Sequence, residues 1–310
     1  MKIKGIFYYF ALAAFTLSLV ISCKKSESTP LKVGVMSSMD YLPLAVAREK
    51  GLFDKYGVRV ELQKFYSANE RDAAFQSGNI DGTVIDYTGA ILQKSGGVDL
   101  KITSACNATF CLMTADSTIR QIADLKGKTV SVSRNTVIDF CIETALQSAG
   151  LSPDDIEKQE INKIPIRLEM LLNGKSTATA LPDPFISIAA MKGAHSIVCM
   201  KNLGYAVTGI MFKTDAIKQK TAEIDAFYKA YNEAVDYIQS QPVEAIKTIL
   251  TEDIGFPETT IQSVQLPNYT HAGMPQDKDI QAVTVWLQEK KLIPDSFQTE
   301  NVLDNQFIKK

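Results

Sequence analysis

The stretch that most constrains this chain is Thr177-Ala178-Thr179-Ala180-Leu181-Pro182-Asp183-Pro184-Phe185, an apolar run that stops at Pro182 and re-enters a helix through Ile186 to about Lys192. Asp183 suits an N-cap and Pro184 a first helical turn, so the order predicts a strand followed at once by a helix whose free N–H groups face the strand's carboxyl end. A related pattern stands at Ile80-Asp81-Gly82-Thr83-Val84-Ile85-Asp86-Tyr87, followed by Thr88-Gly89-Ala90. Each copy follows a helix closed by glycine, Gly78 or Gly174, and each has a strand and helix upstream, Val33 to Lys50 in one half and Thr129 to Ala149 in the other. The strand-to-strand spacing, about fifty residues in both halves, predicts two βαβ-containing lobes of like plan with a cleft between them. In such sheets ligands sit at the strands' carboxyl ends.

A chain of 310 residues with 45% hydrophobic content has enough apolar material for more than one lobe. Its 33 basic and 35 acidic residues leave no electrostatic footprint for nucleic acid. Residues 1–22 read as an export signal, with Lys2 and Lys4 ahead of an apolar run from Ile6 to Val20 that is short for a spanning helix. The run Val20-Ile21-Ser22-Cys23 resembles a bacterial lipobox, which implies cleavage before Cys23, lipidation of its thiol and anchoring to a membrane. Residues 23–30, polar and Ser-rich, then form a tether.

Two readings of the remaining cysteines stay open. Cys106 and Cys111 bridge a hairpin between the strands Lys101–Ala105 and Phe110–Thr114, or Cys106, Cys111, Cys141 and Cys199 are small buried hydrophobes. The two histidines, His195 and His271, have no metal-ligand spacing, and no nucleophile elbow or phosphate-binding loop occurs. No metal, cofactor or catalytic residue is therefore expected.

What the loops share is aromatic and polar character suited to a small-molecule pocket. Ser37, Asp40 and Tyr41 follow the first strand, and Ser67-Ala68-Asn69-Glu70 is a capping box heading the next helix. Asp86 and Tyr87 end the strand that follows, and Asn107 stands in a later loop. Ser133, Asn135 and Thr136 feed a helix N-terminus suited to an anion or carbonyl, and Asp183 and Phe185 complete the candidates. Late in the chain, Ile224, Phe227, Tyr228, Tyr231, Val235 and Ile238 mark one apolar helical face read as core contact.

Four stretches carry a family resemblance: Tyr41-Leu42-Pro43-Leu44-Ala45-Val46-Ala47-Arg48-Glu49-Lys50-Gly51-Leu52-Phe53, Ala74 to Gly82, Ile122 to Val130, and Asp183-Pro184-Phe185. With these the chain resembles the solute-binding proteins of ABC importers that serve nitrate, taurine, alkanesulfonates and thiamine pyrimidine precursors. The resemblance implies a type II periplasmic-binding fold with two α/β lobes, two hinge crossovers, extra C-terminal helices and a pocket at the twelve positions just named. Lobe one is expected over 31–112 and 210–310 and lobe two over 113–209, with crossings at Cys111–Ala115 and Ala206–Phe212.

The implied protein is not an enzyme. It is an exported, lipid-anchored monomer that closes on a small solute and docks on permease and ATPase subunits. An enzyme of pyrimidine-synthesis or dehydratase type on the same fold is the competing class. For a sulfonate or nitrate, helix N-termini and a cation such as Arg134 are expected. Acids at Asp40, Asp86 and Asp183, with rings at Tyr41, Tyr87 and Phe185, instead favour a flat nitrogen heterocycle of the thiamine-pyrimidine kind.

Overall fold

A computed structural model describes residues 29–308, so the expected export signal, Cys23 and nearly all of the tether lie outside the described residues. The first half runs β1 (Leu31–Met36), α1 (Leu42–Glu49), α2 (Leu52–Lys55), β2 (Val60–Phe65), α3 (Ala68–Gln76), β3 (Gly82–Asp86), α4 (Tyr87–Ser95) and β4 (Leu100–Ala105). The middle runs β5 (Phe110–Thr114), β6 (Thr129–Val132), α5 (Val137–Ser148), β7 (Glu157–Glu160), α6 (Ile164–Leu172), β8 (Ala178–Pro182), α7 (Phe185–Met191) and β9 (His195–Cys199). Then follow β10 (Thr208–Lys213), α8 (Thr214–Gln219), α9 (Thr221–Ser240) and α10 (Asp277–Glu289).

The strands make two five-stranded sheets, ordered β2-β1-β3-β10-β4 and β7-β6-β8-β5-β9. The two are alike in plan. Each has three parallel strands, then an antiparallel strand delivered from across the molecule, then a last strand. The strand delivered late needs close approach: a Cβ on Gly209 of β10 would stand 2.5 Å from the Ser104 carbonyl oxygen, so only glycine fits. The chain passes between sheets at residues 106–109 and again at 200–207. The expected division after residue 112 falls inside β5, whose five residues all pair within the second sheet.

Helix α9 lays Ile224, Phe227, Tyr228, Tyr231, Val235 and Ile238 into the core beside α1. A second buried cluster belongs to both lobes, joining Ile85 and Tyr87 to Val130 and Ile138, with Trp286 and Leu287 of α10 over them. After Pro242 the chain makes a 3₁₀ turn at Val243–Ile246 and a π-helical segment at Ile249–Ile254. Asp183 and Pro184 precede α7 rather than opening it, and the Asp183–Pro184 peptide bond is cis.

The cysteines follow neither reading taken whole. Cys111 is bonded to Cys199 across the β5–β9 pair, while Cys106 and Cys141 are free and buried. Cys106 cannot bridge a hairpin with Cys111, because β4 and β5 lie in different sheets.

Candidate functional site

Between the sheets lies a cavity of about 70 Å³, walled by both lobes. From the first lobe come the loop after β1 (Ser37, Ser38, Asp40), the start of α3 (Ala68, Arg71), Asp86 at the end of β3 and Thr208 of β10. From the second come Phe110, Ser133 and Thr136 before α5, Asn162, Ile164 and Arg167 at the head of α6, and Pro182. The walls are the carboxyl ends of β1, β3, β6 and β8 and the helix starts that follow them, where a strand releases its last carbonyls and a helix presents its first amides.

Asp40 is buried, and its Oδ1 accepts the amides of Asn107 at 3.1 Å and Ala108 at 2.7 Å. This carboxylate ties the β1 loop to the first crossover. Burial pushes its pKa up to about 6, against the opposing pull of the Ala108 amide, the Thr208 hydroxyl and the Asn107 amide. Asp86 caps α4: its Oδ1 accepts the Gly89 amide at 2.8 Å and the Thr88 hydroxyl, and its Oδ2 accepts Arg71 Nη2 at 3.3 Å. Ser133 donates to Asn162 Oδ1 at 2.8 Å, and Thr136 caps α5 through the Ile138 amide at 3.2 Å.

Of the twelve candidate positions, Ser37, Asp40, Asp86, Ser133 and Thr136 line the cavity. The others do not. Tyr41 is buried in the first lobe's core, where its hydroxyl donates to Asp253 at 3.1 Å and accepts from Arg48 at 3.1 Å, and burial with Asp253 pushes its pKa up to about 12. Ser67 caps α3 through the Glu70 amide at 3.3 Å, and Tyr87 is core, its hydroxyl buried without a partner. Asn107 and Asp183 line a separate groove beside the disulfide, where Asn107 bonds to Thr270 and Asp183 accepts from the amide and hydroxyl of Ser187. Burial holds the Asp183 carboxyl above its usual range. Phe185 packs on the cluster around Cys111 and Leu181. Asn135, at φ 59°, faces an outer groove with Arg134, which pairs with Glu160 at 3.6 Å.

The expected cation is therefore not Arg134 but two arginines absent from the candidates. Arg71 of α3 is 3% exposed; its Nε donates to Asp72 at 2.8 Å and its Nη2 to Asp86. Arg167 of α6 is 1% exposed, and its Nη1 donates to the carbonyls of Ile161 at 3.0 Å and Asn162 at 3.1 Å. Its Nε and Nη2 are buried with no partner, and burial alone pushes its pKa down to about 10. A helical-period signal existed for both. Arg71 shares a face with Ala74 and Phe75, and Arg167 with Leu168 and Leu171, so each arginine stands on the side of its helix that turns inward.

Two α/β lobes, two crossovers and a walled cavity between them define the periplasmic-binding-protein fold. Solved structures agree: the ligand-binding component of an ABC-type import system from Staphylococcus aureus superposes with a TM-score of 0.78 at 14% identity, over 90% of this chain and 97% of that one. The aliphatic sulphonate binding protein SsuA of Escherichia coli gives 0.75 at 20% identity over 89% and 92%. The desulfurization enzyme DszB shares the fold too, at 0.67 and 13% identity over 89% and 97%.

The chain belongs to the NMT1/THI5-like family, whose model matches residues 38–245. A binding protein of Brucella abortus is 28% identical over 152 residues, and the match spans 48% of this chain and about half, 46%, of that relative. A protein of Haemophilus influenzae named for thiamine biosynthesis is 24% identical over 309 residues, covering 94% of this chain and 96% of its own length.

Proposed function

We propose that this chain is the extracytoplasmic solute-binding component of an ABC importer, taking a small polar solute between its lobes and handing it to a permease with its ATPases. The observation that carries this reading is the cavity walled by both lobes. A solute seated there touches Asp40 and Asp86 on one side and Ser133, Asn162 and Arg167 on the other only when the lobes are together. Contacts that exist in one arrangement alone favour that arrangement, and this differential affinity drives closure. The Cys111–Cys199 disulfide supports an oxidising, exported setting. Anchoring through a lipid on Cys23 and action as a monomer belong to the same reading.

Binding rather than catalysis is supported by what faces the cavity. Its two carboxylates are held in place, Asp40 by backbone amides on one oxygen and Asp86 by the Gly89 amide and Arg71, an arrangement suited to orienting a solute. A heterocycle of the thiamine-pyrimidine kind is the second reading of the ligand, supported by the name of the Haemophilus influenzae relative and by acceptors at Asp40 and Asp86. Its stacking partners are reduced to Phe110, since Tyr41, Tyr87 and Phe185 lie elsewhere.

A thermal-shift screen of metabolites tests the proposal. A cognate solute at 100 times its Kd adds about 2.7 kcal/mol and raises Tm by a few degrees. A flat response across sulfonates, amino acids, small oxyanions and pyrimidines contradicts it.

A further inference from the structure

The two crossovers run beside each other and are tied at both ends. On the first-lobe side the Cys106 amide donates to the Thr208 carbonyl at 2.9 Å, continuing the β4–β10 pairing. There Asp40 accepts from the Asn107 and Ala108 amides of one crossover and from the Thr208 hydroxyl at the end of the other. Midway, the Lys201 amide donates to the Thr109 hydroxyl at 3.3 Å. On the second-lobe side the tie is covalent. Cys111 stands in β5, which starts where the first crossover ends, and Cys199 is the last residue of β9, where the second begins; a disulfide joins them. Residues 106–111 and 199–208 therefore close into a ring, and all chain connectivity between the lobes passes through it.

The covalent tie matters because β9 is weakly held otherwise. This strand is the edge of its sheet, paired with β5 alone, and that pairing shifts register between Leu112 and Met113. The bond is also within reach of a small reagent. A groove of about 590 Å³ is lined by Cys111 and Cys199 together with Thr109 and Lys201 of the crossovers. Cys199 is half-buried, whereas Cys111 is 4% exposed. Lys201, exposed on the same wall, favours the approach of a thiolate.

We propose that the Cys111–Cys199 bond is a redox-sensitive hinge lock: intact, it makes the two crossovers move as one hinge, and reduced by a dithiol it lets them move separately while both lobes stay folded. A thiolate of the dithiol attacks Cys199 Sγ, the more exposed sulfur, and Cys111 leaves as a thiolate that takes up a proton. The dithiol's second thiolate then attacks its own sulfur in the mixed disulfide. Cys199 leaves as a thiolate and is protonated in turn, and the reagent closes to a disulfide, so two electrons pass to the protein. This property belongs to the hinge and does not depend on which solute the cavity takes.

Two free, buried cysteines supply the readout: Cys106 at the first-lobe end of the ring, and Cys141 in α5, outside it. Iodoacetamide labelling of the full chain, resolved at each of these two sites by mass spectrometry, is compared before and after treatment with dithiothreitol and in Cys111→Ser/Cys199→Ser. The expected result is that dithiothreitol cleaves the bond without denaturant and leaves the circular dichroism unchanged. Labelling of Cys106 then accelerates by about tenfold or more while Cys141 keeps its rate. The serine variant shows the same pattern with no reductant, and where it fails to fold the unaltered protein decides alone. Equal acceleration at both thiols, or loss of the dichroism on reduction, means that the bond staples the whole fold and overturns the proposal. An unchanged rate at Cys106, or a bond that dithiothreitol cleaves only in denaturant, overturns it as well.

Discussion

Asp40 is an acid kept from water, and its cost has a definite pH signature. With a folded pKa near 6 and an unfolded value near 3.8, the folded state holds the proton more tightly than the unfolded chain between those values. Folded stability attributable to this group is therefore full below about pH 4 and declines as pH rises through 6, by about 3 kcal/mol in all. Asparagine keeps the Oδ1 acceptor for the Asn107 and Ala108 amides and removes the titration. We expect Asp40→Asn to raise the apo protein's unfolding free energy at pH 8 by about 1–3 kcal/mol and to flatten its dependence between pH 4 and 6. Denaturant titrations across that range check it, and an unchanged slope contradicts it.

The same scale shows why the site was only half legible. Ser37, Asp40, Asp86, Ser133 and Thr136 were readable because loops after parallel strands converge on one edge. Tyr41 follows the same rule but belongs to a one-turn helix that carries its ring to Arg48 and Asp253. Arg71 and Arg167 were missed because a charged residue in a helix ordinarily reads as solvated surface. Only its position among buried neighbours says otherwise.

At the scale of elements, α5, β7 and α10 share a buried ionic cluster. Asp139 and Glu143 of α5 pair with Lys158 of β7 and Lys290 just after α10, and Trp286 Nε1 donates to Glu143 at 2.6 Å. The Trp286 ring meets Phe140 edge to face, with centroids 5.6 Å apart, so α10 is fastened to the second lobe while its inner face lies in the buried cluster common to both. Lys158→Met removes one of two cations from a pair of carboxylates that are each only 1–4% exposed. We expect a loss of about 3–5 kcal/mol, read from urea unfolding, because the stranded charges stay buried. A loss under 1 kcal/mol contradicts the assignment.

That cluster depends on β7, which the sequence concealed. Glu157-Lys158-Gln159-Glu160 is wholly polar and lies at the edge of its sheet, paired only with β6, so burial imposes no alternation on it. The helices α1, α3, α4, α5 and α6 were visible for the opposite reason. Helices α1, α4, α5 and α6 each have an apolar stripe, while α3 is marked instead by its Ser67 cap and the glycine that closes it, Gly78.

At the scale of the molecule, the two halves repeat one strand order and exchange one strand each. The plan was legible from the recurrence of strand, acid, aromatic and helix around Asp86 and Asp183. The asymmetry was not. Asp86 faces the cavity, while Asp183 turns its carboxyl onto Ser187 and sits in the groove beside the disulfide. The proposed clamp action rests on this repeat: each lobe contributes one wall, the chain crosses between them at 106–109 and at 200–207, and the shared cluster under α10 packs against both. The most direct test is a crystallographic map of the protein saturated with the solute that stabilises it most. We expect density in the inter-lobe cavity, with polar atoms about 3 Å from Arg167 on one side and Asp40 on the other. A solute seated in the groove beside Cys111 and Cys199, or on the outer surface, contradicts it.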